Sequence, residues 1–137
     1  MSVEREEGLI PGVCNHPHAA CPAADLLGGE DVARIAIAAG FSGEALITAV
    51  ALAKAESTWD RCCFSATNDV GIWQINKVHW PNFGGRDNLY DANVNARAAF
   101  SISSSGTNFN PWSAFKNGAY QRYLPEAKAA VDAVLHP

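Results

Sequence analysis

One carboxylate offers the most telling chemistry in this chain, Glu56. Glu56 closes the apolar run that begins at Ala45. At 100° per residue it shares a helix face with Ala45, Ala49, Leu52 and Ala53. A carboxylate on a buried face is costly when ionised, so burial raises its pKa. The negative end of a helix pushes the same way. An acid that stays protonated near neutral pH can hand a proton to a leaving oxygen. The plain alternative is that the helix has ended and Glu56 points to water. Asp60, four residues on, reads as a solvated charge able to perturb Glu56. Ser57 reads as orienting rather than attacking, because no histidine stands in a triad-like context.

Cysteine supplies the second chemistry. Cys14, Cys21, Cys62 and Cys63 allow three pairings if all are oxidised. A bridge between the neighbours Cys62 and Cys63 is disfavoured by geometry. The segment Cys14-Asn15-His16-Pro17-His18-Ala19-Ala20-Cys21 also carries zinc-type ligands, at a spacing that matches no common zinc module. Disulfides or free thiols are the leading reading, and a small metal site the alternative.

The elements that must position these groups are mainly helical. Residues 1–25 read as an arm, with prolines, histidines and no apolar period. Residues 26–137 read as the folded domain. A short helix is expected over Glu30 to Ala39, stopped by Gly40. Ser42 can cap the next helix, with Glu44 in its first turn. That helix, Ala45 to Glu56, is apolar on most faces and should be central and buried. From Cys62 to Gly85 helix signals vanish, and the chain reads as loops with a small hairpin around Val70 to Ile75. Asp91 can cap a helix through Ile102, Ser103 to Pro111 is a polar loop, and Pro125 fits the first position of a last helix, Glu126 to Leu135.

Ala53-Lys54-Ala55-Glu56-Ser57, followed by Asp69-Val70-Gly71-Ile72-Trp73-Gln74-Ile75-Asn76, resembles the lysozyme-like superfamily. Glu-Ser at the end of a central helix and then Gly-x-x-Gln is similar to soluble lytic transglycosylases and goose-type lysozymes. Asp-x-Gly-Ile-x-Gln-Ile-Asn is similar to c-type lysozymes. Tyr90-Asp91-Ala92-Asn93-Val94-Asn95-Ala96 and Trp112-Ser113-Ala114-Phe115-Lys116 resemble later motifs of the transglycosylase-like group. The resemblance spans about residues 30 to 124 and is nearest to domains encoded by actinobacteria and their phages. It implies an α+β fold with a central buried helix, Glu56 as general acid and Asp69 as second carboxylate. The implied substrate is the glycan strand of peptidoglycan, cut at the β-1,4 bond between N-acetylmuramic acid and N-acetylglucosamine, without cofactor or metal. Hydrolysis is the leading expectation. Transglycosylation to 1,6-anhydro products is the alternative, and a non-catalytic glycan-binding module a further one.

The same resemblance makes Ser57, Trp73, Gln74, Asn76, Trp112 and Tyr120 candidate substrate-binding residues. Gln74 offers amide hydrogen bonds. Trp73 and Trp112 suit stacking on a sugar face, with core burial as the ordinary alternative. Two departures stand out. Phe115-Lys116 replaces the group's Tyr-Asn, so Tyr120 is the candidate to take over the tyrosine's contact with the acid. The gap from Glu56 to Asp69 is shorter than in c-type lysozymes, so the intervening sheet must be reduced.

Composition sets the outer bounds. At 137 residues, 48% hydrophobic and 18% charged, the chain can bury a core, and its composition argues against global disorder. Net charge is −4 and the ten basic residues form no cluster, which argues against nucleic-acid binding. No apolar run approaches the roughly 20 residues of a membrane span. Met1 to Glu7 lacks the basic and apolar regions of a signal peptide. Together with the wall substrate that the resemblance implies, this gives the expectation of a monomer acting on the bacterial wall, phage-encoded, virion-associated or excised from a larger protein.

Overall fold

The computed structural model describes residues 8–137; the signal-peptide reading of residues 1–7 lies outside them. Among the described residues, five α-helices surround a buried core, with one two-stranded antiparallel sheet at the side. In chain order these are α1 (Gly29–Ala39), α2 (Gly43–Ser57), β1 (Asp69–Val70), β2 (Ile75–Asn76), α3 (Ala92–Ile102), α4 (Ser113–Lys116) and α5 (Leu124–Leu135). The expected α+β, mainly helical class is what the chain adopts.

α2 is the central element. Leu46, Ala49, Val50, Ala51, Leu52 and Ala53 are all buried, a spread that only a helix surrounded on most sides can bury. Its small alanines let α1 and α5 pack closely against it. α1 carries Glu30 and Asp31 in its first turn, where the helix dipole favours them. It stops at Gly40, at φ 121°, where an added Cβ would lie 2.8 Å from the Phe100 ring. Ser42 occupies the N-cap of α2 with extended φ and ψ, but its side chain makes no capping bond. Asp91 caps α3 as expected, accepting hydrogen bonds from the amides of Asn93 and Val94. Pro125 is the second residue of α5 rather than the first.

The hairpin pairs Asp69 with Asn76 and Val70 with Ile75. So reduced a sheet has little stability of its own; fully buried Asn95 of α3 holds it. The Asn95 amide donates to the carbonyls of Val70 and Leu89, both at 2.9 Å, and its oxygen accepts from the Trp73 amide at 2.8 Å. Gly71 leaves the room for this: a Cβ there would sit 2.2 Å from the Asn95 amide nitrogen.

Two expectations need correction. Within the stretch read as non-helical, Lys77–Phe83 forms a 3-10 helix. Its three-residue turn leaves no 3.6-residue apolar period to detect. Two further 3-10 turns, Asp87–Tyr90 and Ala119–Tyr123, flank α3 and α4.

The second concerns the arm. Its described part, from residue 8, is stapled to the domain by the disulfides Cys14–Cys63 and Cys21–Cys62. Asn15 and Phe64 exchange backbone hydrogen bonds at 3.0 Å. The His18 ring packs edge-on against Phe64, 4.7 Å between centroids. Irregular chain held by cross-links has no periodicity, which is why it read as separate.

Candidate active site

A cleft of about 590 Å³ opens at the C-terminal end of α2, within the size range of ligand-binding pockets. Glu56, Ser57, Asp69, Gln74 and Ser113 line one part of it; Gly12, Val13, Cys14, His16, Ala24 and Leu26 line another.

Glu56 is half-buried in the last turn of α2. Burial raises its pKa above the ordinary carboxylate value; the hydrogen bond from the Ala114 backbone opposes the rise, and the nearby Asp69 charge adds to it. That amide is delivered by an indole relay. Trp112 Nε1 donates to the Trp73 carbonyl at 2.7 Å, and Trp73 Nε1 donates to the Ala49 carbonyl of α2 at 2.9 Å. The relay ties the start of α4 to the helix that carries the acid.

Asp69 heads β1 and is buried. One carboxylate oxygen accepts from the Ser65 hydroxyl at 2.8 Å and the Thr67 hydroxyl at 2.6 Å; the other accepts from the Asn76 amide at 2.8 Å. Burial raises its pKa as well, and these three donors restrain the rise.

The remaining candidates divide. Ser57 is buried, and its hydroxyl donates to the Ile72 carbonyl at 2.7 Å, joining the end of α2 to the hairpin turn. Gln74 lines the cleft, while its amide donates to the carbonyls of Gly71 at 2.9 Å and Cys63 at 3.1 Å. Asn76 is buried, and its amide donates to the cleft-lining residues Asp69, at the carboxylate, and Thr67, at the backbone carbonyl. Trp73 and Trp112 are wholly buried, so neither offers a face to a sugar; the stacking expectation gives way to the relay above. Tyr120 stacks on Phe115, 5.0 Å between centroids, and does not line the cleft. The contact it was expected to make with the acid falls instead to the Ala114 backbone.

Asp60 is buried rather than solvated. It accepts from the amides of Asp25 and Cys62 at 3.0 and 2.9 Å and pairs with His16 Nε2 at 2.7 Å. The alternative zinc reading loses its thiolates, since Cys14 and Cys21 are both bridged. Among the described residues no group of three or more His, Cys, Asp or Glu is placed to hold a metal.

Sequence reasoning passed over Ser65, Thr67, Asn95 and the His16–Asp60 pair. The spacing Ser65-x-Thr67-x-Asp69 was the readable signal for the first two: short hydroxyl residues just before an aspartate can bond its carboxylate locally. Backbone strain marks the same region. Thr58, Trp59, Asn68 and Gln74 all have positive φ, between 50° and 65°, and such non-glycine residues gather where geometry is over-determined.

In comparisons with known proteins, a family model described as a lysozyme-like domain matches residues 33–114. No curated protein and no solved structure matches the chain.

Proposed function

The chain belongs to the lysozyme-like domain family, and on that premise we propose that it is a muramidase, cleaving the β-1,4 bond between N-acetylmuramic acid and N-acetylglucosamine in peptidoglycan. The observation that carries this is the pair of carboxyl groups on one cleft, with Glu56 held in a desolvated setting that favours its protonated form. Glu56 protonates the glycosidic oxygen as the bond to the anomeric carbon breaks. The sugar left behind carries oxocarbenium character and needs negative charge beside it. Asp69 supplies that charge. Water then adds to the anomeric carbon and returns a proton to Glu56.

A lytic transglycosylase is the second reading: the three donors on Asp69 disfavour its attack as a nucleophile and leave covalent assistance to the substrate itself. A carboxylate bound to Ser65, Thr67 and Asn76 is a better electrostatic partner than a nucleophile. The substrate's own N-acetyl group can then assist departure, and its C6 hydroxyl closes the 1,6-anhydro ring.

Mass spectrometry of muropeptides after digestion separates the readings. Reducing ends, lost in Glu56→Gln, support the muramidase; anhydro ends support the second reading. No loss of wall turbidity with wild-type protein would refute both. As an agent of wall cleavage the protein would work on bacterial walls as a monomer, from a phage, a virion or a larger parent chain. Among the described residues no helix is long and apolar enough to cross a membrane.

A further inference from the structure

Part of the cleft wall comes from residues 12–26, which precede the matched family span at 33. Three side chains there have a chemistry the acid and its partner do not use. Val13 and Leu26 line the cleft while 50% and 65% exposed. Single exposed apolar residues are ordinary, but these two line one cleft beside His16. His16 is 21% exposed, and the buried Asp60 carboxylate grips its Nε2 at 2.7 Å.

The wall is built in advance. The Cys14–Cys63 bridge and the Asn15–Phe64 backbone pair fix one end. The Leu26–Asp60 bridge and the Leu27 amide to the Trp59 carbonyl, at 2.9 Å, fix the other. Pre-ordered groups bind without the entropy cost of ordering a loop. Two apolar side chains and one oriented imidazole are also the usual make-up of a ligand wall: apolar lining with few polar groups.

We propose that Val13, His16 and Leu26 form a sugar-binding subsite. Val13 and Leu26 receive the apolar parts of an N-acetylated sugar ring, its acetamido methyl above all, and His16 hydrogen-bonds a hydroxyl or amide of the same ring. Asp60 acts through His16 as a positioning residue. This rests on the glycan-cleaving reading of the cleft and names the ring that its outer wall holds.

The test uses soluble, uncrosslinked glycan strands with the full chain. Val13→Ser/Leu26→Ser changes exposed side chains and spares the core. His16→Gln keeps a donor for Asp60 but removes the imidazole. Each variant should raise KM about fivefold, the worth of one ordinary contact, while kcat stays within about twofold and the melting temperature is unchanged. Binding of the same strands to Glu56→Gln protein, measured by calorimetry, should weaken by the same factor when Val13→Ser/Leu26→Ser is added. Unchanged KM and unchanged binding in the Val13→Ser/Leu26→Ser variant would overturn the subsite. Wild-type protein that binds strands through this wall but never cuts them would sink the muramidase reading and leave the subsite standing.

Discussion

Removing the two disulfides should cost more together than the sum of their separate removals. In the loop-closure account a bridge stabilises by restricting the unfolded chain, more for longer loops. Cys14–Cys63 spans 49 residues and Cys21–Cys62 spans 41. Either alone closes a loop worth about 4 kcal/mol. Their separations differ by eight, so with one bridge in place the other closes a ring of only about eight residues, worth about 2.5 kcal/mol. Cys14→Ala/Cys63→Ala and Cys21→Ala/Cys62→Ala should each cost about 2.5 kcal/mol, and the quadruple variant about 6.5 kcal/mol. Cys21, Cys62 and Cys63 are buried, so lost packing adds to each figure. Packing losses largely sum across the pairs, and a double-mutant cycle isolates the chain contribution as an excess of about 1.5 kcal/mol. Urea unfolding at fixed pH measures it, with the slope followed because the unfolded state is what changes. An excess of zero, or of opposite sign, would refute the nested-loop argument. The same arithmetic applies to deleting residues 1–25. That truncation discards Cys14 and Cys21, unpairs Cys62 and Cys63 and uncovers Phe64, so its cooperative melting should be lost or pushed far down.

Glu56→Gln should lower cleavage about 10²- to 10⁴-fold with the fold kept, the usual share of a general acid; a variant retaining a tenth of wild-type turnover would remove Glu56 from that role. The same substitution tests the pKa direction. A raised carboxyl stabilises fully below its unfolded value of about 4.5 and loses that contribution as pH rises through its folded value. Glu56→Gln should therefore gain stability relative to wild type between pH 4 and pH 8, and denaturation curves showing the opposite trend would contradict desolvation as the cause. Asp69→Asn should depress reducing-end formation strongly if its charge faces the oxocarbenium ion; near-normal rates with anhydro products would pass the work to the N-acetyl group. Gly71→Ala should cost about 3 kcal/mol or more, combining positive φ with a clash against Asn95, and a melting temperature within a degree of wild type would show that the turn can shift.

What could be read without coordinates followed local physics. α2 was legible because an apolar run of its length has one outcome, and Asp91 because an N-cap is a local bond. Gly40 and the Val70–Ile75 turn were legible for the same reason. Glu56 drew attention through its place on an apolar helix face and Asp69 through the resemblance of its motif, and the fold brings both to one cleft. The failures were long-range. Nothing near Trp112 says that its indole donates to Trp73, 39 residues away, so it read as a surface for sugars. Asp60 read as solvated because its partners, Asp25 and His16, lie 35 and 44 residues back in the chain. The arm failed for the same reason: its order comes from cross-links, which leave no pattern in hydrophobicity.

The two-residue strands have a mechanical consequence. A sheet that small is not a lobe that can swing. Asn95 locks the hairpin to α3 at two points, the Val70 carbonyl and the Trp73 amide, and the Ser57 hydroxyl locks the turn to α2. Any widening of the cleft that moved Asp69 relative to Glu56 would have to break bonds inside the core. The wall from residues 12–26 is held too, by the bridges Cys14–Cys63 and Cys21–Cys62 and by the Asn15–Phe64 and Leu27–Trp59 backbone bonds. The cleft is therefore a jaw with both sides fixed, and a substrate must fit it as it stands.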